Sequence, residues 1–206
     1  MAIRVKTEMP QDADLRFAAN VNIWKRSFAL RLVAIAAVVG LGIGVGGATL
    51  LNQSQGNSPT VSGQLSGRVA LTENELLAIV SENNLVAYWS GSEAGALYSL
   101  VANTSGQVFV RYLSDGLGLE DTSANYRVVA TYPQADAFAI TQAAGNQANA
   151  ISFVNPDGAQ VFFSKDFPSN IYMAYPDLAY EIEIYDPGSG VALNLATTSM
   201  AIRRVG

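Results

Sequence analysis

The longest unbroken run of apolar positions in the chain covers residues 32–51, LVAIAAVVGLGIGVGGATLL. These 20 residues contain no charged side chain, no Asn or Gln and no proline. Twenty residues of α-helix rise about 30 Å, which is the thickness of the hydrocarbon core of a bilayer. The pattern therefore predicts a single transmembrane helix over residues 32–51, preceded by a tail over residues 1–31.

The polar stretch after this run, residues 52–67 (NQSQGNSPTVSGQLSG), is rich in Gly and Ser and predicts a flexible linker. Apolar positions at helical spacing then return in LTENELLAIVSENN. Thr72 is a good N-cap and Glu75 follows three residues later, so a helix that begins with a capping box is predicted.

Alternating apolar and polar positions dominate the rest of the chain and predict β-strands. Two hairpins have clear turn chemistry: ALYSLVA and QVFVRYL flank NTSG, and AISFV and AQVFF flank NPDG. A second helix is predicted in PQADAFAITQAAG, with Pro133 near its start and Gly145 at its end. Further strands are predicted in LVAYW, YRVVATY, NIYMAY, AYEIEIYD and, as a closing strand, SMAIRRV.

The predicted order is a helix followed by three or four strands, and this order occurs twice. An internal duplication would give the same order. The predicted fold class is α+β: a single transmembrane helix followed by one extracytoplasmic domain, residues 68–206. We expect this domain to hold an antiparallel sheet with about two helices on one face.

Charge is distributed unevenly about the apolar run. Six basic and three acidic residues precede it, whereas six basic and 14 acidic residues follow it. Lys25, Arg26 and Arg31 lie close to the run, so the positive-inside rule predicts a cytoplasmic N-terminus and an extracytoplasmic C-terminal domain in the cell membrane. A cleaved signal peptide is the alternative, but its apolar core is usually only about 7–15 residues long, and an uncleaved signal anchor is favoured.

Glycines inside the run invite two interpretations. Gly42-x-Gly44-x-x-Gly47 has the spacing of a dinucleotide-binding loop, but such a loop needs a strand before it and a helix after it. Neither context is present. Gly40 with Gly44, and Gly42 with Gly46, instead form two GxxxG pairs, which predict contact with a helix of another membrane protein or of a second copy. A small-residue helix that faces only lipid is the alternative.

Composition excludes several kinds of chemistry. The chain has no His and no Cys, which removes Ser-His-Asp and Cys-His catalysis, zinc and iron–sulfur sites, and disulfides. The acidic balance and the lack of a basic stripe argue against nucleic acid as a partner. We therefore predict no catalytic residue, no metal and no cofactor, although catalysis by carboxylates remains open.

Two groups of side chains are candidates for a function. Aromatic residues with one polar tip are favoured at recognition surfaces, although core packing is the more common role. The candidate recognition surface consists of Tyr88, Trp89, Tyr172 and Tyr175. Glu181 and Glu183 share one face of a predicted strand, where a pair can bind calcium or act in acid–base catalysis, but a solvated face is more common.

The segments VAYWSGSEAGALYSLVANTSGQVFVRYL, VVATYP and FPSNIYMAYPDLAYEIEIYDP, within residues 85–187, resemble a group of uncharacterised bacterial exported or membrane-anchored proteins. These carry a Tyr-Trp-x-Gly element, a Val-Phe-Val-Arg-Tyr-Leu-like strand and a Tyr-Pro turn. The resemblance implies no activity. In topology alone, the chain also resembles the single-pass inner-membrane subunits of type IV secretion systems.

Three functions are consistent with these patterns. The first is a non-enzymatic single-pass subunit or scaffold of a bacterial membrane protein complex. The second is a membrane-anchored module that binds a lipid, glycan or peptide at the aromatic surface. The third is a carboxylate-based hydrolase, which needs two acidic side chains that face each other across a cleft, about 5–10 Å apart.

Overall fold

A computed structural model of the chain describes residues 65–66, 69–113, 119 and 124–206. The predicted tail and the predicted transmembrane helix, with Gly40, Gly42, Gly44 and Gly46, lie outside these residues. Among the described residues, no helix is both long enough and apolar enough to cross a membrane.

The described residues form three helices and ten strands. The helices are α1 (Glu73–Glu82), α2 (Ala137–Gly145) and α3 (Val191–Thr197). The strands are β1 (Leu65–Ser66), β2 (Tyr88–Trp89), β3 (Leu97–Ala102), β4 (Val108–Leu113), β5 (Val128–Pro133), β6 (Ala150–Val154), β7 (Gln160–Ser164), β8 (Asn170–Ala174), β9 (Tyr180–Tyr185) and β10 (Arg203–Arg204). The predicted α+β class is confirmed for this part of the chain.

Eight of the strands form one sheet in the order β1-β3-β4-β5-β9-β8-β7-β6, and every neighbouring pair is antiparallel. Two meanders, β3-β4-β5 and β6-β7-β8-β9, meet where β5 pairs with β9. Both predicted hairpins are present, across residues 103–107 and 155–159. Leu65 and Ser66 pair with β3, so the sheet already begins within the segment predicted as a linker.

One face of the sheet, the core face, carries the main hydrophobic core. Its central side chains are Val110, Val129, Ile184 and Ile171, one from each of four neighbouring strands. Helices α1 and α3 cover this face together with a short ribbon in which β2 pairs with β10. The backbone N–H of Tyr88 in the ribbon donates to the buried Thr131 hydroxyl at 2.9 Å, which attaches the ribbon to the sheet.

The opposite face, the α2 face, carries a row of side chains that runs through Phe162, Tyr172, Glu183, Ala130 and Phe109. Helix α2 packs on this face near β6 and β7, and a Cβ atom placed at Gly145 would lie 2.8 Å from the Ser152 hydroxyl. The expectation that the helices share one face is therefore wrong. The central strands bury successive residues rather than alternate ones, so both faces of the sheet are covered.

The two meanders are related by strand order but not by helix placement. A two-fold axis perpendicular to the sheet between β5 and β9 exchanges β3 with β7 and β4 with β8. Such an axis keeps each face on its own side, yet α1 lies on the core face and α2 lies on the α2 face. Internal duplication thus accounts for the strand order alone and stays a hypothesis.

Helix α1 begins as its sequence predicts. The Glu75 backbone N–H donates to the Thr72 hydroxyl, and the Thr72 backbone N–H donates to a Glu75 carboxylate oxygen at 2.8 Å. These hydrogen bonds satisfy donors that the first turn of a helix leaves free. The hydrogen bonds from the Thr72 backbone and hydroxyl also lower the pKa of Glu75. Leu76 and Val80 then bury their side chains in the core.

We expect Thr72→Ala to lower the free energy of unfolding by about 1 kcal/mol, since it removes the side-chain half of the capping box. A urea titration of the full-length chain in mild detergent, followed by tryptophan fluorescence, measures this, because the buried Trp89 becomes exposed on unfolding. Ser81→Ala, an exposed change in the last turn of the same helix, is the control. Equal midpoints for Thr72→Ala and the wild type would contradict the prediction.

Candidate functional site

The four aromatic residues of the candidate recognition surface do not lie together. Tyr88 and Tyr175 stack on the core-face side, with ring centroids 6.5 Å apart and ring planes 21° apart. Trp89 packs edge-on against Tyr98 at 5.7 Å and is buried. Tyr172 lies on the α2 face, where it stacks on Phe162 at 5.0 Å. The sheet therefore separates Tyr172 from the other three rings.

The Tyr-Trp-x-Gly element, residues 88–91, is a tightly held loop. The Ser90 N–H donates to the Tyr112 hydroxyl at 2.8 Å, and that hydroxyl donates to the Gly91 carbonyl at 2.9 Å. Gly91 has φ +83°, and a Cβ atom there would lie 2.8 Å from Cζ of Arg203. The left-handed backbone conformation therefore favours glycine here, whereas the Arg203 guanidinium is the end of a flexible, exposed side chain that can move aside. This local packing accounts for the element without a ligand.

Arg127 joins this loop to the end of β9. Its guanidinium donates to Asp186 at 2.7 Å, to the Ser90 hydroxyl at 3.2 Å and to Glu93, and it lies 5.1 Å from the centre of the Tyr112 ring. Burial alone would lower the pKa of Arg127, but Asp186 and Glu93 outweigh it and raise that pKa. The positive charge of Arg127 is thus paired with carboxylates of the same chain.

Glu181 and Glu183 are fully buried, so the solvated strand face expected for them is wrong. Their strand, β9, lies at the centre of the sheet between β5 and β8, and both side chains point to the α2 face. Alternation along a strand shows that two residues share a face, but not whether another element covers that face.

The buried carboxylates accept hydrogen bonds from several elements. Glu183 accepts from the Tyr132 hydroxyl on β5 at 2.7 Å and from the Asn170 amide on β8 at 2.8 Å. Glu181 accepts from the Thr141 hydroxyl on α2 at 3.4 Å. Burial, and next the charge of Glu183, raises the pKa of Tyr132 well above its usual value. The phenol therefore keeps its proton and remains a donor to Glu183.

This polar cluster lies inside the fold, between α2 and the central strands of the sheet. Its members come from three strands and one helix, and Glu181 and Glu183 are neighbours on one strand, not opposed across a cleft. Within the described part of the chain, no group of three or more acidic side chains is placed to hold a metal ion. The cluster connects α2 to the central strands.

Among the described residues, strand β6 is an open edge of the sheet. Its neighbour β7 lies on one side, and no described strand lies on the other. The hydrogen bonds from the Lys165 N–H to the Asn149 carbonyl and from the Asn155 N–H to the Ala159 carbonyl show that odd-numbered residues face β7. The Ser152 and Val154 backbone groups, and the Ala150 carbonyl, therefore point outward, away from the sheet.

The side chains of β6 are apolar and partly exposed. Ile151 is 41% exposed and Val154 is 61% exposed, and β6 pairs with β7 one residue to one without a bulge. Residues 137–156, which contain α2 and β6, include no charged residue. An exposed, regular, uncharged edge strand is a site for pairing with another chain.

Two other edge strands, β1 and β10, have features that block pairing with another chain and that β6 lacks. Strand β1 at the opposite edge has only two residues, and β10 in the ribbon carries the exposed pair Arg203 and Arg204. Short length and positive charge are two common means of blocking an edge. Strand β6 has five residues and no charge, which makes it the candidate interaction edge, defined as residues 150–154.

Sequence reasoning predicted β6 as a strand but not as an edge. A signal was present, because AISFV lies within an uncharged stretch that includes a predicted helix. That signal is ambiguous, since an uncharged strand is equally typical of a sheet centre. Only the non-local strand order places β6 at the edge.

We expect Tyr132→Phe to lower the free energy of unfolding by about 1.5–3 kcal/mol, because Glu183 loses a donor that it cannot replace from solvent. Urea titration of the full-length chain tests this. Tyr185→Phe is the matched control, since its hydroxyl donates to the Ala124 carbonyl in an exposed position. A smaller loss for Tyr132→Phe than for Tyr185→Phe would show that the buried hydrogen bond does not stabilise the fold.

Stability should also fall at alkaline pH through Tyr112, whose pKa burial raises to about 12. Tyrosine in an unfolded chain ionises near pH 10. Above about pH 10 the unfolded chain has lost a proton that folded Tyr112 keeps, so rising pH favours unfolding. This contribution is fully present below about pH 10 and is lost as the pH approaches about 12.

Urea midpoints between about pH 8 and about pH 12 measure this effect. We expect Tyr112→Phe to have a lower midpoint at neutral pH, since the bonds with Ser90 and Gly91 are lost, but a shallower decline at alkaline pH. The midpoint of Tyr185→Phe, a change at a partly exposed ring, should decline more nearly as that of the wild type does. If the urea midpoint of Tyr112→Phe declines with pH as steeply as that of the wild type, Tyr112 is not the source of the alkaline loss of stability.

The chain matches no protein-family model, no curated protein and no solved structure.

Proposed function

We propose that the protein is a non-enzymatic, single-pass subunit or scaffold of a bacterial membrane protein complex. Its glycine-rich segment would contact a partner helix in the membrane, and its extracytoplasmic domain would dock on a neighbour. The single observation that carries the docking part is the open, uncharged β6 edge with its exposed Ile151 and Val154. The membrane part is supported by the apolar run and its GxxxG spacing.

The internal contacts of the polar side chains also favour this proposal over an enzyme. Arg127 is held by Asp186 and Glu93, and Glu183 is held by Tyr132 and Asn170. A catalytic group must reach a substrate, whereas these groups lie between elements of the fold. With no His or Cys in the chain, carboxylates and tyrosines are the main remaining acid–base groups.

A membrane-anchored module that binds a lipid, glycan or peptide is the alternative. It needs a cleft lined by Tyr88, Trp89, Tyr172 and Tyr175. Three of these rings are buried, and Tyr172 lies across the sheet from the others. This arrangement gives the alternative less support than the open edge gives to a docking subunit.

Purification of the tagged full-length chain from its own membranes in mild detergent, followed by mass spectrometry, tests the proposal. We expect membrane proteins in fixed ratio to accompany the wild type. They should be lost when leucine replaces the four glycines, because the larger side chains keep a partner helix at a distance. The four positions are Gly40, Gly42, Gly44 and Gly46.

The matched control changes Val39, Ile43 and Val45 to leucine, which keeps the length and apolar character of the segment and leaves every glycine in place. We expect the control to retain the same partners as the wild type. If the wild type is recovered without any partner in fixed ratio, the complex-subunit proposal is wrong and the ligand-binding alternative gains.

A further inference from the structure

We propose that the occupant of the β6 edge is the β6 strand of a second copy of this chain, paired antiparallel about a two-fold axis at Ser152. The inference rests on the proposed function, because it names a neighbour on which the extracytoplasmic domain docks. The proposed pairing joins the eight-stranded sheets of the two copies into one continuous sheet.

The backbone groups that point outward from β6 fit this arrangement. Across the axis, the Ser152 N–H of each copy donates to the Ser152 carbonyl of the other. The Val154 N–H of each copy donates to the Ala150 carbonyl of the other. The Ala150 N–H needs no partner there, because it already donates to the Gln147 carbonyl at 3.0 Å. Four hydrogen bonds thus form without breaking any that the single chain makes.

The side chains of β6 match one another in the same register. On the core-face side, Ile151 of each copy lies opposite Phe153 of the other. A β-branched residue opposite an aromatic one is a favourable cross-strand pair. Ala150 lies opposite Val154, and Ser152 lies opposite itself. A register centred on Phe153 would instead place Ile151 opposite Asn155 and Ser152 opposite Val154, which pairs apolar with polar side chains.

Charge favours a second copy over a charged partner. Like charges directly opposite each other destabilise a strand pair, and β6 brings none to the axis because residues 137–156 are uncharged. The exposed surface of α2 beside the edge is equally neutral, with Ala139, Gln142 and Ala143 pointing outward. A partner that recognised this edge by charge would find no complementary group on it.

Cysteine cross-linking of the full-length chain in its membrane tests the inference. Because the natural chain has no Cys, a single introduced thiol reports one contact. Opposed Cα atoms in a hydrogen-bonded antiparallel pair lie about 5.5 Å apart, which a disulfide can span. We expect Ser152→Cys to give a covalent dimer of this chain as its dominant product after mild oxidation.

Leu178→Cys is the control, because Leu178 is exposed, as Ser152 is, and lies away from β6 in the turn between β8 and β9. It should remain a single chain. Three results would overturn the inference: no dimer from Ser152→Cys, an equal yield from Leu178→Cys, or a Ser152→Cys product that contains a different protein.

Charge at the axis gives a second, independent measurement. Ser152→Lys and Ser152→Glu each place two like charges opposite each other, so each variant alone should lose the β6 contact. Coexpressed, they should recover a mixed dimer of one Lys chain and one Glu chain in differentially tagged pull-down. Failure of the mixed pair to exceed either variant alone would place the axis elsewhere or remove the contact.

The two proposals fail in different ways. An intact Ser152→Cys dimer, with no other membrane protein in fixed ratio, contradicts the complex-subunit proposal and leaves the edge contact standing. Partners in fixed ratio, with no Ser152→Cys dimer, contradict the edge contact and leave the subunit proposal standing.

Discussion

The pairing of β5 with β9 is the constraint on which the described fold depends. It is the only strand pairing among the described residues that joins the two meanders, and it runs through six residue pairs from Val128 with Tyr185 to Pro133 with Tyr180. Because this pair lies at the sheet centre, side chains on both of its faces are buried. Ile182 and Ile184 therefore enter the core on one face, and Glu181 and Glu183 must be accommodated on the other.

The polar cluster around Glu183 fixes the register of this central pairing. Its donors, Tyr132 and Asn170, come from the strands on either side of β9. A shift of one residue would move Glu183 into the hydrophobic core and Ile182 or Ile184 onto the α2 face, because strand side chains alternate. A buried carboxylate without its donors costs several kcal/mol. The carboxylates thus disfavour a shifted register of the β5–β9 pair.

Local features of the fold could be predicted from the sequence, and non-local ones could not. The capping box at Thr72 and the turns at residues 103–107 and 155–158 depend on neighbours within a few residues. Helix α3 was not predicted, because Gly190 precedes it with φ +73° and no side chain caps it. The burial of Glu181 and Glu183, and the place of α2 on a second face, depend on which distant segment covers each face. No short-range pattern encodes that.

The separation of the four residues of the candidate recognition surface could not be predicted from the sequence either. Stacking of Tyr88 on Tyr175 joins residues that are far apart in the chain, and aromatic content alone does not reveal it. Alternation along β8 places Tyr172 on the other face of the sheet from Ile171 and Met173. Only the assembled sheet shows which of these faces the ribbon covers. Edge status is likewise a property of strand order, so β6 could be recognised as a strand long before it could be recognised as an edge.

Anchoring and edge pairing support each other energetically in the proposed assembly. Four backbone hydrogen bonds contribute about 1 kcal/mol each, and cross-strand pairs add about 0.2–1 kcal/mol each. Free association costs about 4–15 kcal/mol in lost translational and rotational freedom, so a five-residue edge alone would pair weakly in dilute solution. In the proposed assembly, anchoring of both copies in one membrane would hold the two domains at high effective concentration and offset much of that cost. In this proposed assembly, pairing of two copies in the bilayer would cover the β6 edge, and a chain without the proposed anchor would expose that edge to aggregation.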